Sequence, residues 1–175
     1  VPVGTQADDT EAINQYQVAY NLSADSWCGF FGQNNNWYSG SNNTTYYLQD
    51  AWVAATYKNS YTELLSSWKE IRQESEKTGS MEVFALAQIL KISAWHKTLE
   101  TFGPIPYTHA GEPALVIPFD SEKDAFNAMF ADLTAAIEIL TARVEQGATI
   151  VADYDAVYGG DTRKWVKYAN SLMLR

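Results

Sequence analysis

Three observations make this an all-α chain built of helical hairpins. Five segments carry a hydrophobic period of 3.6 residues, and no segment alternates convincingly with a period of two. The composition belongs to a chain with a substantial core. Among its 175 residues are 6 Trp, 11 Tyr and 7 Phe, and only 19% of them are charged. A disordered segment shows the reverse balance. The length suits one ordinary domain.

The first helix is expected over about 8–28. Asp8, Asp9, Thr10 and Glu11 supply caps and favourable charge at its start. Ile13, Tyr16, Tyr20, Ala24 and Trp27 form its stripe. The second, 50–77, carries Tyr57, Tyr61, Leu64, Trp68 and Ile71 on one face. Gly79 ends it, because glycine adopts the left-handed conformation that closes helices. The third, 81–102, is apolar nearly all round and belongs between other helices. Gly103-Pro104 stops it, since proline cannot continue the hydrogen-bond ladder.

The fourth helix, 121–146, opens on the cap signal Ser121-Glu122-Lys123-Asp124. Phe126, Met129, Phe130, Leu133, Ile137 and Leu140 follow along one face. Ala125, Ala128 and Ala136 leave room on the flanks for close approach by another helix. The fifth, 161–175, takes Asp161 as its cap and carries Trp165, Tyr168, Ala169 and Leu172. It reaches Arg175 without a stop signal, so the chain is expected to be a fragment that continues beyond 175. Helix pairs of this length build tetratricopeptide-type solenoids, although no strict repeat is visible.

Charge narrows the function. With 12 Lys and Arg against 21 Asp and Glu, the net charge is −9. Nucleic acid is therefore not an expected partner, because its binding rests on cations that neutralise phosphates. One cysteine allows neither a disulfide framework nor a multi-cysteine zinc site. No apolar run approaches the roughly 20 residues of a membrane helix.

Catalytic chemistry finds little foothold. Cys28 has Trp27 and Phe30 beside it and no sequence neighbour to lower its pKa. His96 and His109 match no zinc spacing. Asp25, Asp153, Asp155 and Asp161 are the carboxylates available for glycoside hydrolysis, and acids at helix starts usually cap. Asp153-x-Asp155 lacks the remainder of a calcium loop, and no phosphate-binding glycine motif is present. No cofactor or enzymatic activity is expected and no metal-ligating residue is assigned, while calcium, which can use backbone oxygens, stays open.

The loop from Gly29 to Thr45 is the best chemical clue. Trp27, Phe30, Phe31, Asn34, Asn35, Asn36, Trp37 and Tyr38 place aromatic rings and amides within a dozen positions. Rings cover the C–H faces of sugars, and amides offer a donor and an acceptor to hydroxyls. The ligand-binding candidates are Trp27, Asn34, Asn36, Trp37 and Tyr38. The alternative, aromatics folded back onto the core, stays open on sequence alone. Asn21-Leu22-Ser23 and Asn43-Thr44-Thr45 match the glycosylation tripeptide.

The run from Gly159-Gly160-Asp161 through Lys164-Trp165 to Ala169-Asn170-Ser171-Leu172 resembles a stretch of SusD/RagB-like proteins, surface nutrient-binding lipoproteins of Bacteroidetes. Trp95 to Tyr107 is similar to their helix and glycine-proline turn, and Phe119-Asp120-Ser121 to the start of a later helix. The resemblance covers about Asp8 to Arg175 in order. It implies tetratricopeptide-like hairpins with long surface loops, the N-terminal part of a larger SusD-like domain. It also implies glycan capture without cleavage, for delivery to a SusC-like TonB-dependent transporter in the outer membrane. Cys28 is not in a lipoprotein cleavage context, so a lipid anchor is expected upstream of residue 1. The alternatives are a peptide-binding or purely structural adaptor of the same uptake complex and, ranked last, a glycoside hydrolase.

Overall fold

A computed structural model describes residues 16–175 and divides the chain into two compact units, Val1–Tyr61 and Thr62–Arg175. Each is considered by itself. Asp8, Asp9, Thr10, Glu11 and Ile13 of the expected first helix lie outside the described residues, as does the side chain of Ala24.

In the first unit, α1 (Gln17–Asp25) is a π-helical segment that packs on α2 (Asp50–Asn59). Ala19 is its buried contact, and Thr56 Oγ1 of α2 donates to the Ala19 carbonyl at 2.5 Å. Tyr16 and Tyr20, one turn apart, pack ring against ring at 5.1 Å. Two short 3₁₀ turns, Trp37–Gly40 and Asn43–Thr45, shape the loop between the helices. A π stretch, Ser60–Leu64, follows α2 in the chain, a change of pitch that the hydrophobic period does not reveal.

The second unit holds α3 (Leu65–Thr78), α4 (Met81–Phe102), α5 (Glu122–Glu145) and α6 (Thr162–Leu174), each packed on the next. Among the described residues no strand forms; one antiparallel bridge joins Ile105 to Asp120. The all-round apolar α4 is the core. Ile89 and Trp95 are fully buried, Ile92 and Leu99 nearly so. Burying a side chain of this size contributes about 1.5–3 kcal/mol each, so α4 accounts for much of the unit's stability.

The cap signals act as their chemistry requires. Ser121 Oγ accepts from the Asp124 amide at 3.1 Å, Asp161 Oδ1 accepts from the Lys164 amide at 3.1 Å, and Gly79 closes α3 at φ 77°. Two expectations need correction. The buried face of α5 is Ala125, Met129, Leu133, Ala136 and Leu140, whereas Phe130 is 43% exposed. The alanines occupy the line of closest approach, which leaves the larger phenylalanine at the rim. In addition, α5 is long and apolar enough by composition to cross a membrane. Its scattered charges, Asp132 and Glu138 among them, hide that in the sequence. Here its apolar stripe packs on α4 and α6.

Single carboxylates organise the long connections. Asp120 Oδ2 accepts from the Tyr107 and Thr108 amides at 2.7 and 2.8 Å, fixing the turn after α4. Asp155 accepts from the Val157, Tyr158 and Gly160 amides and from Trp165 Nε1, tying the 148–160 loop to α6. Hydrogen bonds to the ionised form hold both carboxyls below their usual range against the opposing effect of burial.

Gly160 is confined on all sides. Its φ is 80°, and a Cβ there would lie 2.8 Å from Ala152 Cα and 2.9 Å from the Ile150 carbonyl oxygen. Gly159, at φ 60°, has open space around it. Gly159→Ala should cost about 1–2 kcal/mol for the left-handed backbone alone. Gly160→Ala should cost clearly more, because backbone atoms must move. Urea melts of both variants check the difference; equal losses would contradict it.

Candidate functional site

The aromatic-amide loop is built by one of its own residues. Asn42 is fully buried. Its Nδ2 donates to Gln33 Oε1 at 3.0 Å and to the Trp37 carbonyl at 2.8 Å, and its Oδ1 accepts from the Thr44 amide and hydroxyl. Asn42 and Thr45 close a reciprocal capping box over the second turn. These bonds hold Tyr38, Ser39 and Gly40 at φ 51°, 54° and 78°, a left-handed run that side-chain-bearing residues seldom adopt. The result throws Tyr38 outward, 59% exposed, beside a half-buried Trp37.

Three rings then form one cluster. Trp37 stacks on Trp52 of α2 with centroids 5.0 Å apart and planes 17° from parallel. Tyr38 meets both edge-on, at 5.4 Å from Trp37 and 5.3 Å from Trp52. Trp37 also forms one wall of a cleft of about 440 Å³, together with Asn21, Phe31, Gln33, Asn34 and Asn35. The volume is in the range of small-ligand sites.

The five expected residues thus separate. Asn34 and Trp37 line the cleft, and Tyr38 extends the aromatic surface next to it. Asn36 is exposed at the start of the first 3₁₀ turn, where its carbonyl accepts from the Ser39 amide at 2.9 Å. Trp27 pairs with Tyr46 at 5.4 Å and is no part of the cleft wall. Sequence reasoning misses Trp52, because it lies in a helix start fifteen positions from Trp37 and nothing in the helical pattern marks a stacking partner. The asparagines take two different roles. Asn42 and Asn43 fold the loop, while Asn34, Asn35 and Asn36 face solvent. Asn43 is 1% exposed and donates to the Leu22 carbonyl, which removes its tripeptide from the glycosylation candidates.

Apart from Asp153, which is exposed, the remaining chemical candidates have structural partners. Cys28 is exposed, with its thiol on the Asp25 carbonyl at 3.4 Å. Asp25 accepts from Asn21 at 2.8 Å, and Asp155 and Asp161 are engaged as described. His109 pairs with Glu112 at 2.9 Å on the surface. Among the described residues no three His, Cys, Asp or Glu side chains come together to hold a metal.

A helical-hairpin protein with a displayed aromatic-amide loop is the class these features define. The family model described as "SusD-like: Susd and RagB outer membrane lipoprotein" matches residues 2–175, and the chain belongs to that family. It is similar to a chitin-binding SusD homologue from Flavobacterium johnsoniae, at 34% identity and TM-score 0.82, over 90% of this chain and 33% of that one. A SusD homologue from Bacteroides uniformis gives 31% and 0.78 over 91% and 33%. A SusD-like protein from Bacteroides thetaiotaomicron gives 27% and 0.74 over 92% and 35%. The chain therefore spans about a third of the length of these structures. No curated protein matches it.

His96, on α4, has a pH-dependent consequence. It is 7% exposed, its Nδ1 sits 2.8 Å from the Ile92 carbonyl, and its Nε2 is buried without a hydrogen-bond partner among the described residues. Burial lowers its pKa, outweighing the Ile92 carbonyl and Glu100. The unfolded chain takes up this proton first as pH falls below about 6.5. Stability should therefore decline from pH 7 until the folded imidazole also protonates, and change no further from this group below that. His96→Phe should flatten that decline in urea melts across pH 7 to 5; an unchanged slope would contradict the assignment.

Proposed function

We propose that this chain is part of a cell-surface protein that binds oligo- or polysaccharide and passes it to a SusC-like TonB-dependent transporter, breaking no bond. One observation carries the reading: a Trp37–Trp52–Tyr38 cluster adjoins an amide-lined cleft. Stacked indoles offer a flat apolar surface for a pyranose ring, and Asn34 and Asn35 offer donors and acceptors for its hydroxyls. Trp37, Tyr38 and Asn34 are the central contacts, with Trp27 and Asn36 peripheral. Membership of a family of outer-membrane lipoproteins supports the location, and the chitin-binding relative makes chitin the first glycan to try. The coverage of about a third supports reading these residues as part of a longer SusD-like domain.

Each ring contributes on the order of 1 kcal/mol beyond its buried area, so dissociation constants of roughly micromolar to millimolar are expected. Affinity electrophoresis of the full-length protein through gels containing chitin-derived and other polysaccharides tests this. Trp37→Ala should weaken retardation about tenfold, equivalent to about 1.4 kcal/mol. Tyr38→Ala, on an exposed ring that the fold does not need, should weaken it less. Retardation untouched by both variants would remove the site from this loop, and no retardation by any polymer would overturn the function.

A further inference from the structure

Lys91 presents an unusual burial problem in the second unit. The residue is 3% exposed, and its Nζ lies 4.0, 4.4 and 4.9 Å from the ring centroids of Trp68, Tyr107 and Trp95. Among the described residues its nearest neighbours are these ring faces, with no hydrogen bond or ion pair to Nζ, and it borders two clefts. Buried ammonium groups ordinarily find a carboxylate or carbonyl, because the loss of water is otherwise uncompensated. Ring faces replace part of that hydration and supply no acceptor atom.

The nearby acid is committed elsewhere. Asp132 Oδ2 accepts from Gln88 Nε2 at 2.5 Å and from the Tyr107 hydroxyl at 2.6 Å, while Gln88 Oε1 accepts from Trp68 Nε1 at 2.6 Å. This chain of bonds locks two rings of the cage and holds the carboxylate on them. Burial still lowers the Lys91 pKa to about 8, against the pull of Asp132.

Lys91 is not sealed in. Two clefts, of about 440 and 260 Å³, share Trp68, Arg72, Lys91, Tyr107 and Thr108 as walls. Arg72 reaches over Trp68 at 5.7 Å and is tethered through Nε to Glu76 at 2.9 Å. The other charged groups facing the clefts are Asp132, Lys69 and Glu112.

We propose that this cleft is a carboxylate-binding site, with the Lys91 ammonium at its floor and the Arg72 guanidinium at its mouth. A carboxylate supplies the acceptor the ammonium lacks. A single negative charge is favoured over a dianion, because Asp132 and Glu76 already offset much of the positive charge. The carboxylate comes either from a free acidic ligand or from another part of the full-length chain.

The test is an NMR titration of 13Cε-labelled lysines in the full-length protein, with Lys91 assigned by its loss in Lys91→Met. Sodium acetate and sodium D-glucuronate are the probes, and D-glucose is the neutral control. Saturable shifts of Lys91 with either acid, a rise in its pKa of a unit or more, and no response to glucose establish a free-ligand site. Binding measured by calorimetry should then fall at least tenfold in Lys91→Met. If Lys91 titrates normally without any probe, and Lys91→Met lowers the melting temperature, the chain itself supplies the carboxylate. Titration near 8 unmoved by both acids overturns the proposal, as does normal titration with no loss of stability in Lys91→Met.

Discussion

The second unit depends on one constraint: a 22-residue helix, α4, that has almost no polar face. Such a helix is stable only when apolar surface meets it from several directions. α3 and α5 cover its two sides, and α6 closes on α5 and touches α4. The short Gly79-Ser80 connection folds α4 back onto α3, and longer loops return α5 and α6 to the same core. Among the polar residues that α4 nevertheless buries, Gln88 is hydrogen-bonded at both ends of its amide, whereas Lys91 and His96 are the places where burial is least well matched.

The connections are built on a different principle. Asp120 and Asp155 each gather several donors, and Asn42 both donates and accepts within its own loop, so one short side chain substitutes for the ladder that a strand or helix would provide. This explains how long segments without regular structure hold defined shapes. It also lets a loop of the first unit display rings and amides outward, because its own folding is handled by Asn42 and Asn43. Binding surfaces are more specific when they are held in place before the ligand arrives.

The helices are legible in the sequence because their signals are local. Ser121, Asp161, Gly79 and the Gly103-Pro104 pair mark ends by chemistry that acts within a turn, and the period of 3.6 needs no partner to be seen. The π stretch at Ser60–Leu64 is not legible, since an extra residue per turn leaves composition unchanged. Size alone assigns Phe130 to the core; Ala125 and Ala136 take the close approach because only small residues allow it. In the loop, residue types announce a sugar-like chemistry but not its geometry. Nothing local distinguishes Asn42, which folds the loop, from Asn34, which lines the cleft. Trp52 and the Lys91 cage are invisible for the same reason, as each is assembled from residues far apart in the chain.

The proposed function turns on the aromatic loop meeting a glycan. A crystal structure of the full-length protein with a bound chitin oligosaccharide, or with whichever glycan retards it most, tests that directly. The expected result is a pyranose face in contact with Trp37 or Tyr38 and a hydroxyl or N-acetyl group hydrogen-bonded to Asn34 or Asn35. An oligosaccharide bound with every sugar remote from this loop would contradict it.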